Sequence, residues 1–288
     1  MKSTVTFGRW SQLVGLFVVL QLPMAADANV CPASKEVQRA ESGSARISIV
    51  ELYTSEGCNS CPPADKWFGG LNRSGGASQP FIPLAFHVDY WDYLGWRDRF
   101  AQAKFAAQQR AMVQAAGKRT VYTPQVFLDG ADVGLWSSGR VMANAASAVR
   151  ASDAVIKLNV EATRRTNAEL QVSVQVLPAE TAAMPPNDLV VYLAVVEQNL
   201  SSSVKAGENK NVKLEHAHTV RELIGPLSVA GLRGSEKLGP ALLGRVSALV
   251  VLDSAWKIED LSVVAYAQQR GSLTKLQAVA LPLCDKKS

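Results

Sequence analysis

Residues 50–65 read VELYTSEGCNSCPPAD, and their interpretation decides the fold of everything around them. The run ISIVELY (47–53) is rich in β-branched and aromatic residues, the composition of a buried strand. PPADKWFGGL (62–71) reads as a helix, because prolines fit the first helical turn, where their missing N–H groups cost nothing. Between strand and helix stand Cys58 and Cys61, two residues apart. A helix N-terminus favours a thiolate through its unpaired N–H groups and its dipole. The spacing therefore makes Cys58 the expected nucleophile and Cys61 the expected resolving thiol. The four letters alone also fit half of a metal site or a permanent crosslink, so the rest of the chain has to decide.

Outward from this stretch, FIPLAFHVDYW (81–91) reads as a second strand. The Ala- and Gln-rich run from Asp98 to Ala116 reads as a helix with Asp98 as its cap and Gly117 as its stop. QVFLDGADVGLW (125–136) suggests two short strands around Asp129-Gly130, a dipeptide that tight hairpins favour, and SGRVMANAASAVRAS suggests a closing helix. The expected fold is thus α/β over 47–152, in the order β-α-β-helix insertion-β-β-α, with a parallel pair and an antiparallel edge. After about 153 the texture changes to alternating strands, in VIKLNVEATRR, ELQVSVQVLP, DLVVYLAVVEQN, ALVVLDS and LSVVAYAQQ. That pattern suggests an all-β antiparallel sandwich-like domain over 153–288, interrupted by a long polar excursion at 201–223.

The 288-residue chain is 19% charged and 48% apolar, a folding composition. Lys2, Arg9, the short apolar run LVGLFVVLQL and the small-x-small ADA at 26–28 together read as a cleaved signal peptide over 1–28. Residues 29–46 form an N-terminal segment. No later stretch is long and apolar enough to cross a membrane, so the expected location is periplasmic or secreted. Removing the leader with Lys2, Arg9 and Asp27 changes the formal charge from +5 to +4, too mild to imply nucleic acid or a membrane as a partner. The exported chain keeps four cysteines, in a setting where disulfides persist. Cys31 and Cys284 lie at its two ends, and because termini of folded chains are often close, they are expected to form a structural disulfide.

Strand, C-x-x-C, helix, strand and then YTP leading into a hairpin resemble the thioredoxin-like superfamily. Over most of the mature chain, VELYTSEGCNSCPPAD with FHVDYWDYLGW (86–96) resembles more closely a family of secreted bacterial proteins called domain of unknown function 1223. The superfamily resemblance implies a cis peptide between Thr123 and Pro124, with the Thr123 backbone pairing with a bound substrate. It also implies an acid that helps deprotonate the resolving cysteine, for which Glu51 is the candidate. Gly57 replaces the usual Trp before the first cysteine, and Asn59-Ser60 replaces Gly-Pro. Tyr90 or Trp91 is expected to supply the missing docking surface. The insertion at 92–120 concentrates Arg97, Arg99, Lys104, Arg110, Lys118 and Arg119 against Asp98 alone, as a solvated helix face or a basic lid.

There is no second C-x-x-C to complete a zinc site. His216 and His218 share one side of an extended segment, His87 and Asp89 are likewise matched in parity, and Arg221 follows on the same loop as a candidate anion or interdomain contact. No metal or cofactor is expected. The leading reading is thiol–disulfide exchange on an exported protein or small thiol, with the redox partner unknown. The rivals are a non-catalytic envelope binding protein, for copper or zinc, and a structural module.

Overall fold

The computed structural model describes residues 35–71, 80–180, 184–229 and 242–284, with positions 1 and 31; beyond Met1, the expected leader lies outside the described residues. The first half contains β1 (Val37–Glu41), β2 (Ser48–Thr54), α1 (Pro62–Gly69), β3 (Phe81–His87), a 3-10 turn (Asp92–Leu94), α2 (Ala103–Ala115), β4 (Gln125–Leu128), β5 (Ala131–Asp132) and α3 (Gly139–Arg150). The second half contains β6 (Ile156–Arg164), β7 (Glu169–Pro178), β8 (Leu189–Glu197), β9 (Leu200–Ser203), β10 (Lys213–His216), β11 (Thr219–Ser228), β12 (Gly244–Val251), a second 3-10 turn (Ile258–Asp260), β13 (Leu261–Gln269) and β14 (Lys275–Pro282).

β2 is buried along its whole length, as its unbroken apolar run requires, with β3 parallel on one side and β4 antiparallel on the other. β4 turns into β5 through Asp129 and Gly130, whose φ values of 49° and 76° are the pair of left-handed residues a two-residue hairpin needs. A side chain at Gly130 would also collide with Leu273. α1 and α3 cover one face of this unit around Val50, Leu52, Phe68 and Met142. α2 covers another core, placing Phe105 and Met112 with Tyr53 and Phe86.

The sheet does not stop at the boundary expected near 153. One eight-stranded sheet runs β14-β13-β8-β11-β3-β2-β4-β5, so strands of both halves share it. The join is β11 on β3, parallel at Thr219 opposite Ala85, where the Ala85 N–H donates to the His218 carbonyl at 2.8 Å. The cores are shared too, since Ala194, Val196, Val264 and Tyr266 pack in the same cluster as Phe86 and Phe105. A four-stranded antiparallel sheet, β1-β6-β7-β12, lies over the β8-β13-β14 end. Strict alternation in β6 and β7 buries Ile156, Leu158, Val172 and Val174 against Val191, Leu193 and Val263.

Five strands lie outside the expected set. β1, within the N-terminal segment, is a polar edge strand paired with β6, and VQRAE has no apolar face to announce it. β9 and β10 form a small separate sheet inside the polar excursion. β11 carries Gly225-Pro226 in a cis bond and two register shifts, features that mask a strand in sequence. β14 is a fifth addition, from KLQAVALP near the C-terminus. The expected helix from Asp98 begins only at Ala103, and Asp98 does not cap it: Gln102 precedes the helix without a side-chain cap. Cys31 and Cys284 are joined, with Cα atoms 4.2 Å apart.

Candidate functional site

β2 ends at Thr54 and delivers the loop Ser55–Cys61 to the start of α1. Cys58 and Cys61 form a disulfide, and Cys61 is the residue that precedes the first helical position. Pro62 and Pro63 fill the first turn, so the helix offers its dipole to the sulfurs with few free N–H donors. The Cys61 carbonyl accepts from Ala64 and Asp65 at 2.9 and 3.1 Å. Both cysteines are 0% exposed, although Asn59 and Ser60 between them are exposed.

Several elements cover the pair. The Thr123-Pro124 peptide is cis. The Thr123 carbonyl lies 3.8 Å from Cys58 Sγ and 3.5 Å from Ser60 Oγ, while Ser60 Oγ is 3.3 Å from Cys58 Sγ. Trp91 donates from Nε1 to Thr123 Oγ1 at 2.8 Å and packs against Gly57, where an added Cβ would fall 2.8 Å from Trp91 Cβ. Trp91 thus stands beside the position before the first cysteine, and Gly57 leaves the room for it. From the second half, the tip of the β9–β10 hairpin places Asn209 with its amide donating to the carbonyls of Glu56 and Cys58, both at 2.9 Å. Glu208 of the same tip accepts from the Asn59 N–H at 3.0 Å.

Beside the loop lies a buried charged cluster. Glu56 Oε1 meets His216 Nε2 at 3.0 Å, and its Oε2 accepts from Trp96 Nε1 at 2.7 Å. Asp98 Oδ2 contacts His87 Nδ1 at 2.6 Å and accepts from the Glu56 N–H at 2.9 Å, while Oδ1 accepts from the Phe100 N–H at 2.9 Å. The two imidazoles meet edge to face, 4.9 Å between centroids. Burial pushes the Asp98 carboxyl up, but the charge and hydrogen bond of His87 outweigh it and hold it below the ordinary range. Burial pushes His87 down, and Asp98 outweighs that and raises it. Glu56 is held low against its burial by His216 and Trp96. Asp65, one helical turn beyond Cys61, is raised by burial despite the nearby His216 and His87.

Glu51 requires a correction. It lies on the β2 face that carries Ile49 and Tyr53, opposite the α1 face of Val50 and Leu52, and it sits 3.6 Å from Lys275 Nζ. Alternation along a strand is the reason: a one-residue offset turns a side chain to the other face. Burial raises its carboxyl while Lys275 opposes that. The acids beside the cysteine loop are Glu56, Asp65 and Asp98; the sequence signal for the first two is position, two residues before Cys58 and four after Cys61.

His216 and His218 do not converge. His216 faces Glu56 and His87, whereas His218, at φ 58°, contacts Gln198. Among the described residues no group of three or more His, Cys, Asp and Glu is arranged to hold a metal ion. Arg221 donates to Glu197 at 2.8 Å and stacks over Phe100 and Trp256, bridging the two halves. Two cations of the basic insertion also bridge the halves, Arg99 donating to the Ser201 carbonyl at 2.7 Å and Lys104 pairing with Glu222, while Lys118 lies 3.5 Å from Asp132 within the first half. No helix among the described residues is long and apolar enough to cross a membrane.

A family model described as "Protein of unknown function (DUF1223)" matches residues 49–248, a span that takes in the cysteine loop, Thr123-Pro124 and the covering hairpin. The chain belongs to the DUF1223 family. Among solved structures, this DUF1223 protein is similar to the crystal structure of protein AGR_C_4864 from Agrobacterium tumefaciens, at 21% identity and a TM-score of 0.59, over 86% of this chain and 99% of that one. It is also similar to HBP35 of Porphyromonas gingivalis, at 12% identity and a TM-score of 0.61, over 84% of this chain and 76% of that one. At these identities the likeness concerns the fold alone. No curated protein matches this DUF1223 chain.

Proposed function

We propose that this protein is an exported thiol–disulfide exchange protein whose first half, β2 to α3, is a thioredoxin-like unit. The observation that carries the reading is the Cys58–Cys61 disulfide at the start of α1, with the carbonyl before cis-Pro124 lying 3.8 Å from Cys58 Sγ. The sheet order β3-β2-β4-β5, with β2 and β3 parallel and the rest antiparallel, supports the same reading. The leader-like N-terminus and the two disulfides support export to the periplasm or beyond.

In one direction, a substrate thiolate attacks Cys58 Sγ, forming a mixed disulfide and releasing the Cys61 thiolate. A second substrate thiolate displaces Cys58, so the substrate leaves as a disulfide and the protein gains two electrons and two protons. In reverse, the Cys58 thiolate attacks a substrate disulfide and Cys61 resolves the product. The Thr123 backbone and Trp91 line the approach to Cys58. Asp65, one helical turn beyond Cys61 and beside His216 and His87, is the candidate proton acceptor on the resolving side.

The test is trapping. Cys61→Ser should accumulate mixed disulfides through Cys58 with exported thiol proteins, whereas Cys58→Ser should not; equal trapping by both, or none, would refute the reading. One observation favours a second reading, a permanent crosslink: both cysteines are wholly buried. That reading requires a potential below about −300 mV.

A further inference from the structure

We propose that the tip of the β9–β10 hairpin is a removable cover over the Cys58–Cys61 disulfide, and that Asn209 is the positioning residue that holds it shut. The inference rests on the exchange reading only for its purpose, not for its geometry.

The strands of the hairpin are anchored in the body, through His216 against Glu56 and Arg99 on the Ser201 carbonyl, but its tip reaches out to the cysteine loop. β9 and β10 pair with each other in a two-stranded sheet of their own. Their apolar anchors, Val204 and Leu214, are 1% and 5% exposed, and between 205 and 213 only Asn209 is buried. The tip is shaped by left-handed residues at Gly207 and Asn211, which turn the chain so that Asn209 projects from it. Its amide donates to the carbonyls on both sides of Gly57, those of Glu56 and Cys58. Glu208 takes up the Asn59 N–H. A single polar peg and one exposed carboxylate thus tie the tip to the loop.

Exchange chemistry explains why such a tie should open. A sulfur attacking a disulfide must approach in line with the S–S bond, and a couple that is 0% exposed offers no such path. Polar contacts exchange readily for water, whereas an apolar plug would not. Withdrawal of the tip leaves the Glu56 and Cys58 carbonyls to solvent and frees the Cys58 side of the loop. The cover therefore discriminates by size, admitting small reductants more readily than a protein-sized thiol.

The experiment compares reduction rates of the oxidised wild type, Asn209→Ala and Asn209→Asp. The probes are tris(2-carboxyethyl)phosphine and reduced thioredoxin. In the phosphine reaction two electrons pass from phosphorus to the disulfide, and water supplies the oxide oxygen and the two thiol protons. With thioredoxin, its dithiol is oxidised as this disulfide is reduced. Asp is nearly isosteric with Asn but cannot donate to the carbonyls. Both variants should be reduced by thioredoxin about tenfold faster than wild type, with a smaller gain for the phosphine, and the loss of the two hydrogen bonds should lower the melting temperature by only about 3–6 °C. A merely structural Asn209 would raise both rates alike, which overturns the proposal, as would rates within twofold of wild type. If the Asn209 variants do not fold, Glu208→Ala decides: a selective rise of threefold or more supports the cover, and no change overturns it. A size-selective gain in protein that traps no substrate would leave the cover standing while the exchange reading falls.

Discussion

Replacing Asp98 by alanine removes the residue that ties the cysteine loop to the buried His87. Its carboxylate, 2% exposed, accepts from the N–H groups of Glu56 and Phe100 and from His87. Hydrogen bonds to a charged group contribute about 1.5–3 kcal/mol each, and removing one partner of a buried pair costs about 3–5 kcal/mol. The three contacts share one group and do not add, so the expected loss is about 4 kcal/mol. At about 2–4 °C per kcal/mol for a chain of this size, the melting temperature should fall by about 8–16 °C. The pH dependence is more telling. The Asp98 carboxyl titrates below its ordinary 3.8, so its contribution is complete above that value and is lost as pH falls through the lower folded pKa. His87 titrates above its ordinary 6.5, so its contribution is complete below that value and is lost as pH rises through the raised folded pKa. Calorimetry of both proteins across pH should therefore show a difference that is flat between about 4 and 6.5 and shrinks on either side. A difference below about 1 kcal/mol, or one independent of pH, would refute the reasoning.

Two further substitutions probe the surroundings of the pair. Gly57→Ala puts a Cβ 2.8 Å from Trp91 Cβ and 3.2 Å from the Trp91 carbonyl oxygen, so it should destabilise by about 1–3 kcal/mol in urea unfolding and loosen the Trp91–Thr123 contact, seen as a change in tryptophan fluorescence. Asp65→Asn should slow resolution of a Cys58 mixed disulfide about tenfold or more in stopped-flow thiol release near neutral pH, while Glu51→Gln, on the opposite face of β2, leaves that rate unchanged. The reverse ranking would restore Glu51 to the reaction.

What could be read from sequence was local chemistry. The apolar run of β2, the prolines that open α1 and the Asp129-Gly130 turn each declare themselves within a few residues. Features that depend on distant partners did not. β11 joins the two halves, yet its cis Gly225-Pro226 and polar Arg221-Glu222 hide its strand character. Asp98 has the residue type and spacing of a helix cap, but His87 and the Glu56 N–H compete for its carboxylate. Glu51 has nearly the spacing of the expected acid, but one residue of parity turns it to the other face of β2. Asn209 has no sequence signature, because its two acceptors lie about 150 positions away. Trp91 is a candidate in sequence, with Tyr90, because the thioredoxin-like resemblance implies a bulky residue where Gly57 stands and both end the neighbouring strand.

The most direct test of the central claim is the redox equilibrium of Cys58–Cys61 in a glutathione series, with the Cys58 thiol titrated on the same sample. The account predicts a potential between about −120 and −270 mV and a thiol pKa below about 7.5. A disulfide that resists the series, with a potential below about −300 mV, or a thiol that titrates near its ordinary value of about 8.5, would contradict it and leave Cys58–Cys61 as a buried crosslink.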